Sequence, residues 1–362
     1  MYQPTISIIV PVAEGRDTSL LLKSVEKVDY PSELIEIIFV FGNHPTKQRN
    51  EAYLRASGEL LYFLDNDSEP DAKNFKHAIP HFNEKRVVAV AGPALPKSQA
   101  NILQKSVDKL FSSFLGTGSA RARHSKQSGP RAADANMVIL CNFIIRKETF
   151  KSLGLFNEML FPGEENDLAK KIIYNGYRII YDPNFFVTRS HRSNIKDLTL
   201  QIFRDGRGRA DYFFIKPDVK SLFFFLPLLF YLYVFVSTFI FLIGSFEFAA
   251  DILFLFVPQI IYFFTVCGFS LYTFIVEQDL TVALLLIFLY PYTHFCYSIG
   301  QLWGTIKNLM GKKGYIRADY YFDIKFIKKF EGKVAEEPEE GEEIKEEKKE
   351  HEKPLDADDI LF

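Results

Sequence analysis

The sequence predicts an α/β protein, an open and mostly parallel sheet with helices on both faces, followed by a helical membrane region at its C-terminal side. Apolar strands and amphipathic helices alternate as βαβαβ from Thr5 to Leu64, and three long apolar stretches follow Lys220. Composition is also split along the chain. Phe and Tyr, 37 and 18 in number, concentrate between Leu222 and Tyr297, whereas acids concentrate in the final segment.

TISIIVPV, from Thr5 to Val12, is short, β-branched and nearly all apolar, as a strand buried on both faces must be. The polar stretch AEGRDTS follows, and then Leu20, Leu21, Val25 and Val28 recur at helical spacing until Tyr30-Pro31 stops the helix. Ile35 to Phe41 reads as the second strand. Lys47 to Ser57 reads as a charged helix closed by Gly58, and Leu60 to Leu64 as the third strand. In such a sheet ligands bind beyond the carboxyl ends of the strands, so the loops after Val12, Phe41 and Leu64 are the places to look. Further strands are expected at Val87 to Ala91, Met137 to Ile145 and Tyr177 to Tyr181. Helices are expected at Asn101 to Leu115, from Lys147, at Asp167 to Asn175, and at Ile195 to Tyr212 as one helix or a pair. Between them, residues 116–134 form a long polar loop, of the kind that is usually functional or disordered.

The apolar stretches run from Leu222 to Phe246, Ile252 to Val276 and Leu280 to about Trp303. Each is long enough to cross a bilayer core, and the first two carry no charge. Pro291, His294, Gln301 and Gly304 make the second half of the third amphipathic, which suits an interfacial helix. Lys216 and Lys220 precede the first stretch, Glu247 and Asp251 lie between the first and second, and Lys307, Lys312, Lys313 and Arg317 follow the last. The positive-inside rule then puts both ends in the cytoplasm, which needs an even number of crossings and leaves one stretch re-entrant or interfacial. The expected organisation is a cytoplasmic domain over 1–220, membrane helices over 221–306, a basic juxtamembrane segment over 307–333 and a charged, disordered tail over 334–362. MYQPTISIIVPVAEGRD does not read as a signal peptide, so the first domain is expected on the cytoplasmic side of a multi-pass cell-membrane protein.

A formal charge of −2, from 43 basic against 45 acidic side chains, argues against a nucleic-acid partner. Cys141, Cys267 and Cys296 lack metal-ligand spacing and read as buried thiols.

Three groups of residues could carry chemistry. Asp65-Asn66-Asp67, directly after the third strand, can place two carboxylates around one divalent cation, or can be two solvated turn residues. Glu164 and Glu165 lie in GEENDL, in the loop before the helix, where a carboxylate could accept a proton from a hydroxyl, while Asp167 reads as a helix cap. His191-Arg192 and the arginines of QIFRDGRGRADYF suit either a phosphate or anionic lipid heads.

Together these pieces resemble the family 2 glycosyltransferases, across about residues 5 to 215. The matching segments are SIIVPV followed by Glu14, QRNEAYLRASGELLYFLDNDSEP at 48–70, CNFIIRKETFKSLGLFNE at 141–158 and GEENDLAKKIIYNGYRIIYDP at 163–183. The resemblance implies a GT-A fold, that is, a Rossmann-like nucleotide-sugar-binding domain. It implies that Pro11, Glu14, Arg49 and Asp65 meet the donor, and that Asp65, Asp67 and His191 hold a divalent metal, Mn²⁺ or Mg²⁺. Glu165 falls at the catalytic base position, with Glu164 beside it. Asn142, Arg146, Gln201, Arg204, Arg207 and Arg209 would meet acceptor or phosphate, the last four in a segment like the gating motif of membrane-bound members. Where the family has Asp after its second strand, this chain has Phe41-Gly42-Asn43. The implied activity is inverting transfer of a hexosyl-type sugar from a nucleotide-sugar donor to a lipid-linked or saccharide acceptor at the membrane. A non-catalytic membrane protein with a glycosyltransferase-like domain is the alternative.

Overall fold

The structure is a computed structural model, and it describes residues 3–243, 253–315 and 319–330. The expected charged tail, Glu247, Asp251, Arg317 and the facing ends of the first two apolar stretches lie outside the described residues.

Strand β1 (Ile6–Val12) is buried along its whole length, as its unbroken apolar run requires. Its side chains alternate between two core layers. Ile6, Ile8, Val10 and Val12 pack in the layer of Leu21 and Val25 from α1 (Ser19–Val25), whereas Ile9 packs in the layer of Ala52 and Tyr53 from α2 (Pro45–Arg55). β1 pairs in parallel with β2 (Ile35–Gly42) on one side and β3 (Leu60–Phe63) on the other. The carboxyl ends of these three strands therefore share one edge. Gly58 does not cap α2, whose C-cap is Ala56. It is small because a Cβ there would stand 2.6 Å from the backbone nitrogen of Ser7.

The chain continues through β4 (Glu69–Pro70), α3 (Asn74–Ala78), β5 (Val87–Ala91), β6 (Ala94–Leu95), α4 (Ile102–Ser112) and α5 (Phe114–Thr117). Then come β7 (Arg131–Ala132), β8 (Phe143–Arg146), α6 (Lys147–Ser152), α7 (Glu164–Tyr174), β9 (Arg178–Tyr181), β10 (Val187–Thr188) and α8 (Ile195–Ile215), which is one continuous helix. β8 is antiparallel to both β3 and β5, so the sheet is mixed at that point. The 116–134 segment holds a 3-10 helix at Gly118–Arg123 as well as β7.

Among the described residues, three helical stretches are long and apolar enough to cross a membrane: Ser221–Ile243, Phe254–Glu277 and Leu280–Leu309. The third differs from the others, with 44% of its most apolar window buried against 11% for each of the first two. It packs along α8 backbone to backbone. A Cβ on Gly206 would stand 2.1 Å from the Tyr297 carbonyl oxygen, and one on Gly300 2.1 Å from that of Phe203. The polar residues of its second half face protein groups: His294 Nε2 lies 3.1 Å from the Leu115 carbonyl oxygen, and Gln301 donates to the Phe224 carbonyl at 2.8 Å. The amphipathicity read from the sequence thus marks packing against α5 and the segment after α8.

Beyond this helix, β11 (Phe322–Lys328) pairs antiparallel with β2 and completes the order β11-β2-β1-β3-β8-β5-β9-β7. A second sheet has the order β4-β10-β6.

Candidate active site

Asp65 and Asp67 sit just past β3, at the shared carboxyl edge. Parallel pairing across β2, β1 and β3 turns a one-dimensional spacing into a cleft floor. Two arginines meet there. Arg49, buried on α2, gives Nη2 to Asp65 Oδ1 at 2.9 Å and Nη1 to Glu164 Oε1 at 3.1 Å. Arg189, one residue after β10, spans both aspartates, with Nη1 2.9 Å from Asp65 Oδ2 and Nε 2.9 Å from Asp67 Oδ1. Burial pushes the Asp65 carboxyl up, but Arg189 and Arg49 outweigh it and hold it below its ordinary value. The Arg189 guanidinium is itself held above its ordinary value, because the charges of Asp65 and Asp67 outweigh its burial.

The donor set fits a divalent cation such as Mn²⁺ or Mg²⁺: two hard carboxylates, with Asp67 Oδ1 buried and, among the described residues, lacking a properly directed hydrogen bond. Arg189 supplies positive charge at the same place. Among the described residues no three His, Cys, Asp or Glu side chains converge to form a complete ligand set. His191 lies against α4, with Nε2 3.5 Å from Asp108 Oδ1 and its ring against Phe111 and His124.

Helix α7 starts at Glu164, so Glu164 and Glu165 occupy its first turn rather than the preceding loop. Carboxylates in that turn are favoured by the helix dipole. Glu165 Oε1 meets Arg123 Nη1 at 3.1 Å and accepts from Asn166 Nδ2 at 3.0 Å. Glu164 is nearly sealed from solvent and its Oε2 has no hydrogen-bond partner among the described residues. Burial and the neighbouring Glu165 push its carboxyl up to about 8, against the pull of Arg49. Asp205 on α8, half-buried, is pushed upward by burial and again by Glu165, so three acids crowd this end of the cleft.

The Glu164 shift has a stability consequence. Between its ordinary 4.5 and about 8 the folded chain holds a proton that the unfolded chain has released, so this contribution is complete below 4.5 and is lost as pH rises through about 8. Glu164→Gln is expected to flatten the fall of melting temperature across that window; an unchanged slope would mean that the carboxyl is already ionised in the folded chain.

Other expected site residues fall in different places. Pro11 is buried in β1, paired with Val40. Glu14 is exposed and accepts a hydrogen bond from Tyr321 at 3.1 Å. Asn142 is fully buried, accepting from Tyr62 at 2.8 Å and donating to the Phe185 carbonyl at 2.7 Å, so its polar atoms already serve the core. Arg146, expected to meet acceptor or phosphate, lies away from Asp65. β8 runs antiparallel to β3 and pairs Arg146 with Leu60 at the opposite edge from Asp65, where its guanidinium donates to the Val87 carbonyl at 3.2 Å. On α8, Gln201 accepts from Arg192 at 3.1 Å and Arg204 is exposed. Arg207 is buried and donates to the Phe161 carbonyl at 3.2 Å, and Arg209 lies over the Phe224 ring at 4.3 Å. The sequence reading missed Arg123, Arg189 and Asp205. A carboxylate pair near an arginine in sequence could not have revealed them, since Arg189 and Asp65 are 124 positions apart.

No family model matches the sequence. It is 28% identical over 156 residues to the pre-mycofactocin glycosyltransferase of Mycobacterium tuberculosis, covering 42% of this chain and 31% of that one. The chain thus spans about a third of that relative's length. It is 27% identical over 238 residues to the O-antigen chain rhamnosyltransferase WbaN of Salmonella anatum, covering 61% of this chain and 72% of the other. In fold it matches a mannosyltransferase of Pyrobaculum calidifontis, solved with GDP-Man and Mn²⁺, at a TM-score of 0.53 and 16% identity, over 86% of this chain and 89% of that one. In sequence and in fold, the chain resembles the GT-A glycosyltransferases, here with three apolar helices joined to the sheet.

Proposed function

We propose that the protein is a membrane-bound inverting glycosyltransferase that moves a sugar from a nucleotide-sugar donor to an acceptor hydroxyl on a lipid-linked or polysaccharide substrate. The observation that carries this reading is the Arg49 bridge, which ties the Asp65 end of the cleft to the paired glutamates of α7. A donor held at Asp65 and an acceptor activated at α7 would then meet across one short gap. A divalent cation held by Asp65 and Asp67 would neutralise the departing nucleoside diphosphate. Glu165, partly accessible and steadied by Arg123, takes the acceptor proton as the hydroxyl oxygen attacks the anomeric carbon and the bond to the diphosphate breaks. A single displacement of this kind inverts that carbon. Glu164, holding its proton at neutral pH, limits the negative charge packed beside the base. The relatives named for glycosyl and rhamnosyl transfer, and the neighbour solved with GDP-Man and Mn²⁺, support the reaction class. The deciding assay is release of nucleoside diphosphate from a panel of nucleotide sugars by detergent-solubilised protein with and without Mn²⁺. No release with any donor would overturn the reading.

For the membrane we propose two crossings, by the helices at Ser221–Ile243 and Phe254–Glu277, with the third apolar helix lying along α8. Support comes from α8 leading into the first crossing and β11 pairing with β2 after the third helix, which favour an even number. Lys109 of α4 reaches Glu277 at 2.8 Å, so the second helix ends against the sheet domain. The basic residues flanking the apolar helices, Lys216 and Lys220 before the first and Lys307, Lys312 and Lys313 at the end of the third, favour a cytoplasmic sheet domain by the positive-inside rule. The protein is expected to stay with membranes through carbonate and high-salt washes, because uncharged spans do not depend on screened electrostatics. Release by salt alone would show that neither helix is inserted.

A further inference from the structure

The chain segment that follows the apolar helices returns to the same edge of the sheet that carries Asp65. β11 runs antiparallel to β2 and pairs Phe322 with Gly42, so the residues entering it, Asp319 to Tyr321, lie at the carboxyl ends of the parallel strands. Contacts there are specific. Tyr321 donates its phenol hydrogen to Glu14 at 3.1 Å, beyond the end of β1. Asn43, beyond the end of β2, donates to the Asp319 carbonyl at 2.8 Å and accepts from the Tyr321 backbone nitrogen at 3.3 Å. Tyr320 is held between Lys47, 4.5 Å from its ring centre, and Phe322, stacked at 5.5 Å.

Gly42 couples this strap to the sequence of the cleft. A Cβ at that position would stand 2.5 Å from the Tyr321 carbonyl oxygen, a distance that side chains do not tolerate. Gly42 is one of the positions after the second strand where the family resemblance leads one to expect an acid, and there the strap leaves no room for a side chain. Tyr321, 46% exposed, then stands at the same sheet edge as Asp65, with β2 and β1 between β11 and β3. Between β11 and β3 lie three strand spacings, about 14 Å, a span suited to an extended nucleoside diphosphate.

We propose that the strap from Asp319 to Phe322 forms the nucleoside end of the donor site, with the Tyr321 ring packing on the nucleobase and Glu14 and Asn43 fixing the strap. This rests on the donor-site reading above. It assigns recognition of the nucleoside to the chain beyond the apolar helices, and recognition of the diphosphate to Asp65, Asp67 and Arg189.

The test is calorimetric titration of the full-length, detergent-solubilised protein with UDP, GDP, CDP and dTDP, and separately with inorganic pyrophosphate, in the presence of Mn²⁺. Tyr321→Ala is expected to weaken the preferred nucleoside diphosphate by about tenfold or more, the scale of one lost ring-to-base stack, and to leave pyrophosphate within about twofold. Gly42→Val, which unseats the strap by crowding the Tyr321 backbone carbonyl while keeping the Tyr321 ring, is expected to do the same, and Tyr321→Phe to retain most of the affinity. Unchanged nucleoside diphosphate affinity in both Tyr321→Ala and Gly42→Val would overturn the assignment, as would an equal loss for pyrophosphate. If the wild-type protein binds none of the four nucleotides, the donor-site reading fails with it. Binding by the wild type with indifferent variants removes the strap alone.

Discussion

Asp67→Ala is expected to take sugar transfer below detection and to remove the gain in nucleoside diphosphate affinity that Mn²⁺ confers. The physical ground is local. Asp67 is a loop residue, 40% exposed on its side chain, whose carboxylate faces Arg189 and packs no part of the core. Losing it changes the charge of the cleft without opening a cavity, so the melting temperature should move little. Arg189 would keep its bond to Asp65 at 2.9 Å and would then be balanced by one carboxylate instead of two, leaving a more positive and less cation-tolerant site. Transfer at wild-type rate by Asp67→Ala would remove the metal assignment; a collapse in melting temperature would instead make Asp67 a structural residue.

Glu165→Gln is expected to lower the rate of transfer by roughly 10²-fold or more, the scale of a lost general base, with donor affinity nearly unchanged. The amide keeps the shape and can still meet Arg123, which lies 3.1 Å from Oε1, but it cannot take a proton. Glu164→Gln should slow the reaction less, since that carboxyl is buried and already holds a proton near neutral pH. A greater loss from Glu164→Gln would move the base to Glu164 and give Glu165 the task of holding Arg123. Equal and mild losses would leave both acids as helix-terminal charges.

Much of the architecture was readable before any contact was known. Apolar runs such as TISIIVPV and LLYFL admit little except buried strands, and their alternation with helical patterns sets parallel pairing and the ligand edge. The placement of Asp65 and Asp67 at that edge followed from their position directly after such a run. Helix ends were less legible. Glu164 and Glu165 were expected in a loop, yet they open α7, because acids favour a first helical turn and carry no signal that separates the last loop residue from the first helical one.

What sequence alone determined is thus the alternating sheet, its carboxyl edge, the acidic pairs and the three apolar stretches, all of which are local patterns in hydrophobicity and charge. Only the tertiary structure decided which distant groups share the cleft. It placed Arg189 between Asp65 and Asp67, joined Asp65 to Glu164 through Arg49, laid the third apolar helix on α8 and returned β11 to the edge at Gly42. It also sent Arg146 to the far edge, because β8 enters the sheet antiparallel. Strand direction and long-range pairing depend on how the whole chain closes its core and neutralises its buried charges, and those conditions are not written in any one segment.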